Sequence, residues 1–189
     1  MVKNAEIHKY FTQNLKMNKS EILKKLAEGF SIMDNILRNT DEAFFYIKKD
    51  DKWSIAENCK HLSLSVNPLN TVFSLPNFTL LCLGELNRKV STYDEIVEKY
   101  LIELAKGAVA PTPFVPDVTL LDKTKFELID ELKNINDTFL KKVDDFTEED
   151  LDKYLISHPV LGKLTIREML YFTICHTLHH QKAILFQQN

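Results

Sequence analysis

Residues 158–180 read HPVLGKLTIREMLYFTICHTLHH, and how this stretch divides decides the fold. Its start, within SHPVLGKL, is a compact turn around His158-Pro159 and Gly162, because proline fixes φ and glycine enters conformations closed to other residues. Thr165 then stands where a helix N-cap belongs. Beyond it Ile166, Met169, Leu170, Phe172, Thr173, His176, His180 and Ile184 fall on or near one broad side of a helix.

Three more long helices can be read upstream. The third runs from about Asp122 to Asp144, with Phe126, Ile129, Leu132, Ile135, Phe139 and Val143 on one stripe; Thr147 with Asp150 forms a capping box for a short helical turn after it. Before it lies GAVAPTPFVPD, where Gly107, Pro111, Pro113 and Pro116 demand an extended connection that crosses the bundle end to end. Ser91 or Thr92 caps YDEIVEKYLIELAK, a shorter helix with acids in its first turn and Gly107 as its stop. Residues 69–90, with Pro76 and Gly84, read as irregular or short helical structure. The second long helix starts in WSIAENCKHLSLSVN, with Ser54 as N-cap and Glu57 three residues on, and Pro68 is expected to kink or end it. The first covers about 20–38, with Ser20 as cap and Ile22, Leu23, Leu26, Phe30, Met33, Ile36 and Leu37 stepping by threes and fours. The expected architecture is all-α: one four-helix-bundle domain over residues 1–189, core about 20–186, with a long connection between helices two and three that contains a shorter extra helix.

Composition agrees. Only 4 glycines and 6 prolines occur in 189 residues, too few for a turn-dense β-sandwich or propeller. The formal net charge of −3 leaves no cationic excess to hold nucleic acid or an anionic membrane, so neither is an expected partner. No apolar run approaches a membrane span, and MVKNAEIHKYF has no signal-peptide core, so a cytoplasmic location is expected. Cys59, Cys82 and Cys175 are odd in number and lack CxxC spacing; they read as reduced thiols.

Six histidines occur, and three of them, His176, His179 and His180, sit close together on the last helix. His176 and His180 are one turn apart and about 40° apart around the axis, so both imidazoles can converge on one ion; His179 is rotated by about 100° from His180. A third ligand is needed, and His61 in the leucine-rich middle of helix two is the best candidate. Glu57, one turn before it, reads either as an acceptor that orients the imidazole or as a capping carboxylate. No H-E-x-x-H and no E-x-x-H occurs, which removes the zincin and di-iron carboxylate patterns. Cys175 and Cys59 point away from their neighbouring histidines and read as core residues. The competing reading is plainer: His61 in the core and HTLHH as a solvated helix end. Trp53 reads as an anchor of the helix start, His158 as a turn residue and His8 as a surface residue.

WSIAENCKHL (53–62) resembles the W-S-x-x-E-x-x-x-H-L signature of the DinB/YfiT-like superfamily, and residues 158–180 are similar to that family's final turn and H-x-x-x-H helix. The resemblance implies a four-helix bundle, often a homodimer, with one divalent metal held by His61, His176 and His180. The family's frequent Gln three residues after the last ligand is Ala183 here, with Gln181 on another face. Three neutral imidazoles suit Zn²⁺, Ni²⁺ or a similar ion and leave a coordination position open. The resemblance implies a metal-dependent enzyme, a thiol transferase or hydrolase, and the expected function is activation of a small thiol or water against a small-molecule substrate. The alternative is a non-enzymatic metal-binding or ligand-binding bundle with a structural or sensing role. For a homodimer, the segment around Phe73, Phe78, Leu80 and Leu81 is the expected contact.

Overall fold

Each long helix starts at a side chain that accepts a hydrogen bond from the backbone three residues on, while a carboxylate there returns one to the cap's own N–H. Helix α1 (Lys19–Asn39) is closed this way by Asn18 and Glu21. After a single turn, α2 (Glu42–Phe45), come α3 (Ile55–Val72), capped by Ser54 and Glu57, and α4 (Asn77–Leu81). Thr92 and Glu95 close α5 (Tyr93–Ala105), and Thr124 and Glu127 close α6 (Lys125–Asp144). The same device, from Thr147 and Asp150, opens α7 (Glu148–Lys153), and Thr165 with Glu168 opens α8 (Ile166–Gln187). These elements come from a computed structural model that describes residues 16–50, 52–82, 84, 86–117 and 122–188.

Helices α1, α3, α6 and α8 form the bundle. Around it α1 touches α6 and α8, and α3 touches the same two. Directions follow from the contacts. Cys59 and Asn70 of α3 reach the carbonyls of Leu128 and Ile135 on α6, so these two helices run parallel. Met17 lies beside Arg167, and Gly29 beside Gln181, so α1 and α8 are parallel as well. Asn58 meets His180 and His61 meets His176, which sets α3 antiparallel to α8. The order is up, down, down, up. A parallel α3–α6 pair obliges the chain to return the full length of the bundle between them, and residues 73–124 do so. On that return α5 packs on α8, and a 3₁₀ turn at Thr112–Phe114 rests on α3.

Four expectations change. Asn18, not Ser20, caps α1, because only Asn18 has a carboxylate three residues on to answer it. Pro68 lies inside α3, which continues to Val72: the proline ring is solvent-exposed, and burial of Val66, Leu69 and Phe73 outweighs one missing N–H. Phe126 is half exposed, over the Lys125 ammonium, and Leu128, Ile129, Leu132, Phe139 and Val143 form the buried stripe of α6. The turn over SHPVLGKL is a β-hairpin, β1 (Leu155–His158) against β2 (Gly162–Thr165), with His158 opposite Gly162 at φ +75°.

Phe73 and Leu80 are buried in the chain's own core, so they supply no contact surface; Leu81 is partly exposed, and the side chain of Phe78 and all of His8 lie outside the described residues. No described helix is long and apolar enough to cross a membrane.

Two buried ions tie the ends of the hairpin to the bundle. Arg167, fully enclosed, donates to Asp152 (2.6 Å), Glu148 (2.5 Å) and the Met17 carbonyl (2.6 Å). Glu168 accepts both arms of Arg88 at 2.6 Å and the amides of Ser91 and Thr165. It fastens the long connection to the start of α8.

Candidate metal centre

His61 projects from α3 toward α8, where His176 and His180 occupy successive turns of one face. The antiparallel α3–α8 contact brings the three rings together. The Nε2 atoms of His61 and His180 each lie 3.1 Å from Nε2 of His176, and one nitrogen from each of the three rings falls within 4.8 Å of the other two. Among the described residues no other three His, Cys, Asp or Glu side chains converge in this way.

The opposite edges of two rings fix their protons. Asn58 donates its Nδ2 to the carbonyls of Trp53 (3.1 Å) and Ser54 (2.8 Å), which leaves its Oδ1 to accept from Nδ1–H of His180 at 2.7 Å. The carbonyl of Phe114 accepts from Nδ1–H of His61, also at 2.7 Å. In their neutral forms His61 and His180 therefore carry lone pairs on Nε2. Burial pushes the pKa of all three imidazoles down, that of His176 and His180 far down, which keeps them neutral. Two close N···N contacts then share at most the one proton that His176 can offer. Spare lone pairs with too few hydrogens between them make a donor set that could hold a cation.

The spacing fits such an ion. Two nitrogens about 2.0–2.1 Å from zinc lie about 2.9 Å apart at a right angle and about 3.3 Å apart at the tetrahedral angle. The observed 3.1 Å falls between them.

The residues around the three imidazoles take the following places. Glu57 caps α3 and pairs with Lys48 at 2.8 Å, so the carboxylate does not orient His61; Asn58, the next residue, holds His180 instead. Trp53 does more than anchor α3: its ring lies 4.7 Å from that of His61 and borders the adjoining cavity. His179 is exposed at the cavity rim, 5.1 Å from the ring of His180. Gln181 bonds the carbonyl of Gly29 on α1 and serves helix packing, while Ala183 faces the cavity. Cys59 and Cys175 are buried in the core.

The cavity has a volume of about 800 Å³ and opens beside the three imidazoles. Its floor is α3 and α8. The long connection supplies one wall, including Tyr100, Leu104, Pro111 and Phe114, and the hairpin supplies another through Ile156 and His158. Among the described residues, Lys52 is the only lining side chain with a formal charge, and no carboxylate borders the space.

The model of the DinB superfamily matches residues 23–184, nearly the whole chain. The chain belongs to the DinB superfamily. Solved structures share its fold at low identity. TT2238, described as a four-helix bundle protein, superposes with a TM-score of 0.56 at 16% identity over 89% of this chain and 98% of its own. YfiT from Bacillus subtilis, described as a probable metal-dependent hydrolase with an unusual four-helix-bundle topology, gives 0.57 at 16% identity over 89% and 85%. The colibactin self-resistance protein ClbS, solved in complex with double-stranded DNA, gives 0.50 at 15% identity over 90% and 95%. No protein of curated function matches the sequence. In this DinB-superfamily chain the parallel α3–α6 pair and the three converging imidazoles thus occur together.

Proposed function

We propose that this protein is a metal-dependent enzyme in which His61, His176 and His180 hold one divalent ion, Zn²⁺ or Ni²⁺, at the wall of an apolar substrate cavity. The observation that carries the reading is the set of three Nε2 atoms, two of them stripped of protons by Phe114 and Asn58. When bound, such an ion supplies Lewis acidity that deprotonates a small thiol outright or makes water a nucleophile near neutral pH.

The chain's own residues do the rest. Asn58 and the Phe114 carbonyl keep the two ring planes aimed at a common point, so binding needs no reorientation. The α5 and connection side chains exclude water from the cavity and bind an apolar reactant. No described lining residue is a carboxylate that could serve as general acid for a poor leaving group. The preferred reading is transfer of a thiol to an electrophilic carbon of an apolar reactant, for which the largely apolar wall is suited. Hydrolysis remains the second reading because YfiT carries that description.

The test is a panel of low-molecular-weight thiols and generic esters, assayed with protein loaded with zinc or nickel and with His61→Ala. Thiol conjugation that vanishes in the variant supports transfer, and ester cleavage alone supports hydrolysis. Loaded wild type that accelerates neither would overturn the enzyme reading in favour of a structural or sensing role.

A further inference from the structure

His158 closes the hairpin turn with one edge of its ring. Its Nδ1 accepts the backbone N–H of Val160 at 3.1 Å and of Leu161 at 3.0 Å, so in the neutral ring the proton must sit on Nε2. The ring is half-buried against Phe172, with centroids 4.2 Å apart, and Phe172 in turn stacks on His176 at 5.0 Å. Burial holds the pKa of His158 down at about 4, and the ring is neutral near pH 7. With the single lone pair of Nδ1 shared by the two turn amides, Nε2–H is the polar group left to this ring, and the ring lines the cavity. Three of the wall's hydroxyls are committed: Ser65, Thr173 and Thr177 each donate to a carbonyl of their own helix. The hydroxyl of Tyr100 rotates freely about its own bond, whereas two backbone bonds lock the direction of the imidazole N–H.

We propose that His158 is a substrate-positioning residue whose Nε2–H donates to a neutral carbonyl oxygen on an otherwise apolar substrate. The inference rests on the reading of this cavity as the substrate site. It names the class of molecule that this donor would hold, the neutral carbonyl of an apolar ketone or ester, since the uncharged imidazole itself offers an anion no counter-charge. Lys52, the one charged lining side chain among the described residues, lies over the Phe186 ring instead. Across Phe172 from the three imidazoles, the donor would hold the carbonyl while the reacting carbon faces them.

Asn is the informative replacement. Its side-chain oxygen can accept the same two turn amides, but it offers no N–H at the position of Nε2. Metal-free wild type and His158→Asn are titrated with 4-phenylbutan-2-one and with butylbenzene, which differ at the carbonyl, and binding is read from the fluorescence of Trp53. As the chain's 1 tryptophan, Trp53 lines this cavity and reports on it alone. The expected result is that the variant's ketone affinity falls about fivefold, the worth of one neutral hydrogen bond, while its butylbenzene affinity is unchanged. An unchanged ketone-to-hydrocarbon ratio would overturn the role of His158, as would binding of neither probe. Should His158→Asn not fold, ¹⁵N-histidine spectra of the wild type decide: the Nε2–H signal of His158 shifts with the ketone and not with the hydrocarbon. A signal unmoved by both points to an N–H directed at the Phe172 ring and sinks the proposal. Because the titration is run without metal, failure of the metal site leaves its outcome intact.

Discussion

Replacing Asn58 by Leu removes one acceptor from the site without touching a ligand, and its effect can be worked out in advance. The 2.7 Å bond to His180 Nδ1 is the constraint that keeps the lone pair of that ring on Nε2. Without it the proton is free to move to the inner edge, where it blocks a cation. Loss of such a partner typically costs 10–100-fold in metal affinity, roughly 1.4–2.7 kcal/mol. Asn58→Leu also deletes the two bonds to Trp53 and Ser54 at the start of α3, which adds a loss of stability of about 1 kcal/mol for each. Asn58→Asp separates the two effects, since it keeps an acceptor for His180 but turns an oxygen toward the two carbonyls. Zinc affinity is measured by competition with a chromophoric chelator, and folding of the metal-free chains by thermal melting. The expected order of affinity is wild type and Asn58→Asp close together, with Asn58→Leu weaker by at least tenfold. A folded Asn58→Leu that holds zinc as tightly as wild type would refute the tautomer argument.

Two further outcomes follow from buried groups elsewhere. Burial would raise the pKa of Glu168, but Arg88 and the amides of Ser91 and Thr165 outweigh it and hold the carboxylate at about 2, against about 4.3 when free. Its contribution, up to about 3 kcal/mol, is complete above about pH 4.3 and lost as pH falls toward 2. Urea unfolding should accordingly show Glu168→Gln far weaker than wild type at pH 7 and nearly equal to it at pH 2; a gap independent of pH contradicts this. Burial pushes the thiols of Cys59 and Cys175 up to about 12 and about 11, whereas Cys82 is exposed. A disulfide reagent at pH 8 should modify one thiol of the folded chain rapidly and all 3 after unfolding; rapid reaction of two in the folded chain would contradict the burial.

Legibility from sequence tracked how local the physics was. Helix starts at Ser54, Thr92, Thr147 and Thr165 could be read because a cap and its answering carboxylate lie three residues apart. The same signal stood at Asn18 and Glu21, and Ser20 drew attention only by standing nearer the first apolar residue. The pairing of His176 with His180 needed only the helical repeat. The place of Asn58 did not follow from its neighbours in the chain, because its partner is 122 positions away and meets it through the antiparallel α3–α8 contact. Trp53 and His158 were likewise read as local anchors, and their second faces became visible only when α8 and the hairpin closed the cavity around them. That α3 continues past Pro68 does not follow from the chain around it, because the proline's cost is local while the burial that offsets it is not.

Phe114 joins two parts of the molecule that would otherwise be independent. One peptide both borders the cavity and holds the ring of His61. A guest that fits only when that carbonyl turns aside loosens the imidazole, and one that packs on it as it stands tightens the imidazole. Thermodynamic reciprocity then requires the ion to alter the guest's affinity by the same factor. Occupancy of the metal and choice of guest are in that sense a single equilibrium, and the wall that sets it is drawn from a segment free of the bundle's helical repeat.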